Sequence, residues 1–362
     1  MLKYLFLLLL FFHGLIHTLG FFKAFQIMEI SQLTKDINRP QGILWLITFA
    51  LFICSAILFL LRHPNWFLIT LLSVVISQGL IINSWSDAKY GTVANIIILI
   101  AATISYGHFN LTNRYQEDVS TGLVRTSSLK EEILEERDLL HLPEIVQKYL
   151  RYSGVINKPK VYNAKILLEG QMRGRDQDWF QFESEQYNFF DQPSRFFLMQ
   201  AKVKGFSTYG YHRYKNTKAS MLIKLLGLFP VVNHDGAEMD TAETVTLFNE
   251  MCLMAPATLI TKNIVWKTID SHSVTANFTN DHITVSATLY FNDAGQLIDF
   301  QSEDRYEVAD MQRYPFSTPI GKYQARNGYN LFTFGEAIWH YPDGDFTYGK
   351  FDIKSIEYNV TE

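Results

Sequence analysis

The chain has 362 residues, 48% of them apolar and 19% charged, with a formal net charge of −4. Residues 1–112 hold only nine of the 68 charged side chains and net +3, whereas the rest of the chain holds 59 and nets −7. This division excludes a purely soluble protein and, because the second part has an ordinary charge content, also a pure transporter bundle. Neither part carries the basic field that nucleic acid binding requires, so no nucleic acid partner is expected.

Four apolar stretches in the first part are each close to the length that crosses a bilayer, about 20 residues for roughly 30 Å of hydrocarbon. We predict transmembrane helices at about 4–22, 43–61, 66–82 and 91–106, within a transmembrane region of residues 1–110. The first stretch has a signal peptide as its alternative, but no cleavage site of small residues follows it. We therefore expect a multi-pass protein of the cell membrane, with membrane lipids as partners.

Lys and Arg residues in short loops set the orientation of such helices. With four helices, the two sides of the membrane receive four basic residues each, so the count assigns the carboxy-terminal domain to neither side. One side would hold Lys3, Arg62, Arg114 and Arg125, and the other would hold Lys23, Lys35, Arg39 and Lys89.

His13 and His17 are four residues apart and so share one face of the first predicted helix. Two interpretations are open: an axial or metal-binding pair, or hydrogen bonds to neighbouring helices through Ser73, Ser77 or Asn95. The other three predicted helices place no His or carboxylate at membrane depth, which argues against ligation and against transport. The helices are then an anchor, or a surface for a homo-oligomer or another partner.

The two cysteines, Cys54 and Cys252, have no partner at a disulfide or metal-ligand spacing. We expect no metal and no other cofactor.

Residues 111–157 are predicted to form a charged linker and a capping helix. The run 130–137 is typical of a solvated helix or linker. His141–Tyr152 has apolar residues at helical spacing, with Pro143 suited to the first turn and Gly154 just after the end.

From residue 158 to 362 the apolar residues alternate with polar ones, which predicts an antiparallel β-domain. Ile283–Phe291 is the clearest example, and the turn sequence 292–295 follows it. Ten strands in roughly 205 residues favour a curved sheet, a half-barrel or a barrel over a flat sheet. The predicted strands are Tyr162–Met172, Trp179–Tyr187, Arg195–Val203, Ser207–Tyr214, Ile264–Ile269, Val274–Phe278, Ile283–Phe291, Leu297–Tyr306, Phe334–His340 and Phe346–Tyr358.

One helix interrupts the strands. Asp240 and Glu243 have the spacing of a capping box, and Phe248 and Cys252 then recur on one helical face until Pro256. We expect this helix on the concave side of the sheet or in its mouth, so the fold is an α+β domain with one inserted helix behind four membrane helices.

The apolar segment Met221–Val232 precedes that helix and is too short to span a bilayer. It is either a buried strand or short helix, or a lid or membrane-touching loop beside a hydrophobic cavity.

Few residues suggest chemistry. Arg305 lies at the end of a predicted strand, where it either makes an ion pair with a neighbouring strand or anchors a carboxylate or phosphate head group. Glu250, Asp304 and His340 could serve a hydrolase or isomerase if two of them reach a common point. No catalytic motif occurs, so catalytic residues stay unknown.

Several short sequences together resemble an uncharacterised bacterial family of membrane-associated β-rich proteins. The resemblance covers about residues 140–360 and implies no activity; in outline, the domain is also similar to half-barrels that carry lipids or lipoproteins. The sequences are Leu142-Pro143, Tyr149-Leu150-Arg151, Ser153-Gly154, Leu225–Val232, Phe248–Met251 with Pro256, Asp304-Arg305-Tyr306, Gly335–Trp339 and Gly344–Tyr348.

The leading hypothesis is a membrane-anchored binding protein whose curved sheet encloses an apolar cavity for a lipid-like or other hydrophobic small molecule. The alternatives are the membrane-bound hydrolase or isomerase, and an interaction module of a membrane complex without a ligand. The candidate ligand-binding residues are Trp179, Phe206, Tyr209, Glu250, Arg305, Trp339 and Tyr348.

Overall fold

A computed structural model describes residues 2–361. Its contacts divide the chain into two compact units, with the boundary between Leu111 and Thr112. Each unit is described by itself.

The first unit is helical. Four helices, Leu2–Ala24, Arg39–Leu60, Trp66–Asn83 and Gly91–Ser127, are long and apolar enough to cross a membrane. The last of them extends well past the predicted end at residue 106 and finishes in the second unit. In full, the helices are α1 (Leu2–Ile16), α2 (Thr18–Ala24), α3 (Arg39–Leu60), α4 (Trp66–Asn83), α5 (Trp85–Ala88) and α6 (Gly91–Ser127).

A polar cluster joins three of these helices. His13 Nε2 lies 2.8 Å from Asn95 Oδ1, and His17 Nε2 lies 3.0 Å from Ser77 Oγ. Asn95 Nδ2 donates to Ser77 Oγ at 3.0 Å and to Gln78 Oε1 at 3.0 Å. The predicted interhelical hydrogen bonds to Ser77 and Asn95 are confirmed, and they satisfy polar groups that would be costly in hydrocarbon.

The second unit is mainly antiparallel sheet, and the predicted strands are found with small differences at their ends. Its helices are α7 (Glu144–Ser153), which ends at Gly154 with φ +71°, and α8 (Ala237–Met254). Two short 3₁₀ turns cover Glu136–Leu139 and Pro256–Ile260. The strands are β1 (Ile133–Leu134), β2 (Lys158–Pro159), β3 (Asn163–Met172), β4 (Phe180–Phe189), β5 (Ser194–Val203), β6 (Phe206–Lys215), β7 (Lys218–Leu225), β8 (Phe229–Asp235), β9 (Ile264–Thr268), β10 (Ser273–Asn280), β11 (Ile283–Phe291), β12 (Leu297–Ser302), β13 (Phe316–Ser317), β14 (Ile320–Gly321), β15 (Gln324–Arg326), β16 (Tyr329–Leu331), β17 (Phe334–Tyr341) and β18 (Gly344–Tyr358).

The main sheet is a curled half-barrel with the strand order β8-β7-β6-β5-β4-β3-β18-β17-β13-β12-β11-β10-β9, and β14 pairs with β17. The long strand β18 returns from the end of the chain to pair with β3 and so joins the two halves. Register shifts at Ala337/Ile338 and Ile353/Ser355 interrupt its two ladders. Such bulges increase local twist, which helps the sheet to curl at this seam.

Helix α8 fills part of the concave side and contacts β6, β7, β8, β11 and β12. Fourteen of its 18 residues are buried. Phe248 lies with its ring centroid 5.2 Å from Phe278 and 5.6 Å from Phe300. The hydroxyl of Tyr149, on α7, donates to the Cys252 carbonyl oxygen at 2.9 Å. The inserted helix is therefore a core element of the half-barrel.

The predicted capping box of this helix is wrong. The helix begins at Ala237, after Gly236 with φ +109°, so Asp240 lies within its first turn. The Asp240 carboxylate instead accepts hydrogen bonds at 2.7 Å from the Ala219 backbone N–H and from Lys218 Nζ. The Asp240 side chain is not used as a cap because strand β7 brings these two donors close to the helix in the folded protein.

The segment Met221–Val232 proves to be most of a β-hairpin, formed by β7 and β8. Its turn lies at residues 226–228, and Phe229 and Val231 are more than half exposed. The segment therefore forms strands, as one interpretation predicted, but the predicted burial is wrong: the first arm is half-buried and the second arm is an exposed edge of the sheet.

Candidate functional site

A cavity of about 620 Å³ lies between the concave face of the half-barrel and α8. Its size is within the range of small-molecule sites. The wall takes residues from β3 to β8, α8, the segment 305–309 and the strands β13, β17 and β18. Most of the wall is apolar, and its apolar members include Leu168, Phe180, Met199, Ile223, Phe332 and Phe351.

One charged cluster on this wall joins a single arginine to two carboxylates. Arg195 Nε donates to both carboxylate oxygens of Glu250 at 2.9 Å, and its Nη1 donates to Glu243 Oε2 at 3.1 Å. Gln186 Nε2 and Asn188 Nδ2 also donate to Glu250 Oε2, at 2.7 and 2.9 Å. Burial raises the pKa of Glu250, and the Arg195 guanidinium opposes that rise. All five side chains are buried, so this cluster is a fixed part of the core.

His212 borders the same cluster and lines the cavity. Its Nδ1 lies 3.9 Å from Glu243 Oε1, too far for a strong hydrogen bond. Its Nε2 is buried and has no hydrogen-bond partner among residues 2–361. Burial lowers the pKa of His212 to about 4, with Arg195 and Arg305 adding to the effect and Glu243 opposing it. The imidazole is therefore neutral at pH 7.

Arg305 has a different environment. Its guanidinium carbon lies 4.0, 5.2 and 5.9 Å from the ring centroids of Phe316, Trp339 and Tyr348. Nη1 donates to the Tyr348 hydroxyl at 2.9 Å. No carboxylate in the described chain lies within ion-pair distance, so the predicted ion pair with a neighbouring strand is wrong. The adjacent Asp304 pairs with Arg313 instead, at 3.4 Å.

Two further arginines lie on the wall beside Arg305. Arg173 donates through Nε to the Thr347 carbonyl oxygen at 2.9 Å and lies 4.5 Å from the Trp179 ring and 4.8 Å from the Phe346 ring. Arg175 pairs with Asp343 at 2.5 Å. This part of the wall therefore combines guanidinium groups with aromatic rings.

Four of the seven predicted ligand-binding residues lie on the cavity wall: Glu250, Arg305, Trp339 and Tyr348. The others are placed elsewhere. Trp179 reaches the site only indirectly, by stacking on Arg173. Phe206 is 54% exposed at the start of β6, and Tyr209 has the strand parity of Tyr211, opposite to that of His212. Contact of any of the seven with a ligand stays a prediction.

The sequence interpretation missed Arg195, Glu243 and His212 as members of the wall. One signal was available, because Glu243 and Glu250 are seven residues apart and so share a face of the predicted helix. The partner Arg195 lies 48 residues from Glu243, and no local pattern joins the two.

The acid–base residues of the hydrolase alternative do not come together on this wall. Glu250 lines the cavity, but Asp304 and His340 do not. Asp304 accepts a hydrogen bond from the Ser286 backbone N–H at 2.7 Å, and His340 lies between Ser317 and Asp345. Strand alternation explains the last placement, because Trp339 points into the half-barrel and its neighbour points out. Within residues 2–361, no group of three His, Cys, Asp or Glu residues could hold a metal ion.

Comparisons with other proteins identify the family. A LolA superfamily protein from Nitrosomonas europaea, known from its crystal structure, is 11% identical, with a TM-score of 0.34. The alignment covers 59% of this chain and 93% of that one. No protein of curated function matches the chain. The model of a family of unknown function, DUF6544, matches residues 132–351, which confirms the predicted resemblance to an uncharacterised family. The chain therefore belongs to the family of unknown function DUF6544.

Proposed function

We propose that this protein is a membrane-anchored binding protein that holds a lipid-like or other hydrophobic molecule in the cavity of its half-barrel. The observation that carries the proposal is the cavity itself, about 620 Å³ in volume, with a mainly apolar wall that also holds four arginines and four glutamates. Apolar pockets with a small number of placed polar groups are the usual form of small-molecule sites.

The composition of the wall supports a flexible or variable ligand. Five of the nine methionines in the chain line the cavity: Met172, Met199, Met221, Met239 and Met254. Methionine has three rotatable bonds and a polarizable sulfur, so it adapts to irregular apolar shapes. Such a wall could therefore pack closely against a flexible alkyl chain.

The four apolar helices of the first unit support the membrane part of the proposal, through their length and composition. Each is long enough to cross about 30 Å of hydrocarbon. Bilayer lipids would then be the most abundant hydrophobic molecules near the protein.

Native mass spectrometry of the full-length protein, purified in a mild detergent, tests this proposal. We expect adducts in the mass range of lipids. Ile223→Trp should remove most of them, because the Ile223 side chain lies on the cavity wall and the larger indole would occupy ligand space. Leu222→Trp is the matched control, since the neighbouring residue on β7 points to the opposite face.

Two results would contradict the proposal. One is a wild-type protein without lipid-mass adducts in several mild detergents. The other is an equal loss of adducts in Ile223→Trp and Leu222→Trp, or no loss in either, because the bound molecules would then lie outside the cavity.

A further inference from the structure

Arg305 differs from two other arginines on the cavity wall, Arg195 and Arg175, because it makes no ion pair within residues 2–361. Arg195 is committed to Glu243 and Glu250, and Arg175 is committed to Asp343. Arg305 has no carboxylate at ion-pair distance among residues 2–361, although it lies on the same wall. A partly buried cation without a counter-ion attracts an anion more strongly than an exposed one, because water screens it less.

The guanidinium of Arg305 also has unused hydrogen-bond capacity. Arginine carries five N–H donors in a planar fork. In the described part of the chain, its side chain donates only to the Tyr348 hydroxyl. The rings of Phe316 and Trp339 lie against it and restrict its orientation. A planar, oriented fork with free donors suits the paired oxygens of a carboxylate or phosphate.

A second guanidinium lies close to this point along the sheet. Arg173 lies over the ring of Phe346, which is the cross-strand partner of Trp339, the residue under Arg305. Arg173 likewise makes no ion pair within residues 2–361, and its Nε donates a hydrogen bond to the Thr347 backbone carbonyl oxygen. The neutral His212 adds, on the same wall, a buried ring nitrogen that has no hydrogen-bond partner among residues 2–361. The two guanidinium groups favour a ligand with a negatively charged end, and the His212 nitrogen favours a polar group on it.

We infer that the cavity takes an anionic amphiphile, with its alkyl part against the methionine-rich wall and its carboxylate or phosphate head group on Arg305. This inference rests on the proposed function and specifies the class of ligand. A fatty acid and a phosphorylated lipid share the required chemistry.

The test uses full-length protein in vesicles of zwitterionic phosphatidylcholine and three photoreactive probes. The probes share one diazirine-bearing alkyl chain and differ only in the head group: carboxylate, phosphate or hydroxyl. Labelling of peptides that contain Met199 or Ile223 is measured by mass spectrometry and divided by labelling of the apolar helix Arg39–Leu60. That ratio corrects for the different partitioning of the probes into the bilayer.

We expect one or both anionic probes to label the cavity peptides about tenfold more than the hydroxyl probe, a difference of roughly 1.4 kcal/mol in binding. Preference for carboxylate identifies a fatty-acid-like ligand, and preference for phosphate a phospholipid-like one. Arg305→Met should reduce the anionic probes to the level of the hydroxyl probe, whereas Arg305→Lys should keep part of the preference. Arg313→Met is the control, because Arg313 pairs with Asp304 outside the cavity.

Equal labelling by the three probes in the wild-type protein would overturn the inference, and this measurement needs no variant to fold. Anionic preference that survives in folded Arg305→Met would also overturn it. If no probe labels the cavity peptides while the helices are labelled, the proposed function itself fails.

Discussion

Two arginines on one cavity wall, Arg195 and Arg305, illustrate two uses of the same positive charge. Arg195 is buried and bonded to two carboxylates and an amide. Arg305 is partly exposed, lies among aromatic rings and bonds to one phenol. The first arginine completes the protein's own core, whereas the side chain of the second uses one of its five N–H donors within residues 2–361. Four substitutions or titrations sharpen or break this comparison.

The largest effect is expected from Arg195→Met. The substitution leaves Glu243 and Glu250 buried without their cation, and breaking a buried ion pair in this way costs about 3–5 kcal/mol. Thermal unfolding of the detergent-purified protein measures the loss. The matched variant Arg305→Met should lose less, about 1–2 kcal/mol, since one hydrogen bond and the ring contacts disappear but no carboxylate loses its cation. Equal losses in the two variants would make Arg305 a structural cation and end the comparison.

The next effect depends on pH and involves His212. In the folded protein its pKa is about 4, below the ordinary value of 6.5, because the side chain is buried. In the unfolded chain, therefore, the His212 imidazole becomes protonated near pH 6.5, whereas in the folded protein it becomes protonated only near pH 4. The free energy of unfolding should therefore decrease as the pH falls from 6.5 to 4, by up to about 1.4 kcal/mol for each pH unit.

His212→Asn serves as the comparison for that titration. Nearby carboxylates titrate in both proteins, so the difference between the two stability profiles isolates the imidazole. We expect the stability of the wild-type protein to fall relative to that of His212→Asn as the pH falls from 6.5 to 4. Parallel profiles over the whole interval would show that His212 keeps its ordinary pKa.

A smaller effect separates the two carboxylates of the Arg195 cluster. Glu250 accepts hydrogen bonds from three side chains, whereas Glu243 accepts one from Arg195 and has no other hydrogen-bond donor among residues 2–361. Glu250→Gln should lower the free energy of unfolding by about 2 kcal/mol, because the amide would place an N–H donor where other donors already point. Glu243→Gln should lower it by about 1 kcal/mol. Chemical denaturation measures both. A larger cost for Glu243→Gln would contradict this ranking.

The smallest effect is expected at the ring nearest Arg305. Phe316→Leu removes an aromatic face that lies 4.0 Å from the guanidinium carbon. A cation–π contact of this kind is worth about 0.5–1 kcal/mol, so preference for anionic probes should fall about two- to fivefold. Phe351→Leu is the control, because Phe351 lines the cavity but has no contact with Arg305 at this range. Equal losses in both variants would assign the effect to cavity shape.

The secondary structure could largely be predicted from the sequence because its signals are local. The alternation in Ile283–Phe291 predicted β11 with its observed ends. The apolar stretches predicted the four long helices, although α6 continues to Ser127 through residues that are no longer apolar enough to mark a membrane span. Helical propensity and packing extend α6 beyond its apolar part, and hydropathy does not report either of them.

The site could be predicted only in part. Strand parity places Trp339 and His340 on opposite faces, yet it could not show that Tyr209 lies on the face away from the cavity, because alternation defines two faces and does not say which is concave. The spacing of Asp240 and Glu243 matched a local cap, but both carboxylates bind partners on distant strands.

The sequence by itself therefore determined the apolar helices, the strands and the presence of one inserted helix, since each follows from a period of 3.6 or two along the chain. Only the tertiary structure decided which charges neutralise one another. Glu250 meets Arg195 across 55 residues of chain, while Arg305 meets rings of β13, β17 and β18 and no carboxylate of the described chain. Ion pairing depends on distance in space, and the curl of the sheet sets that distance.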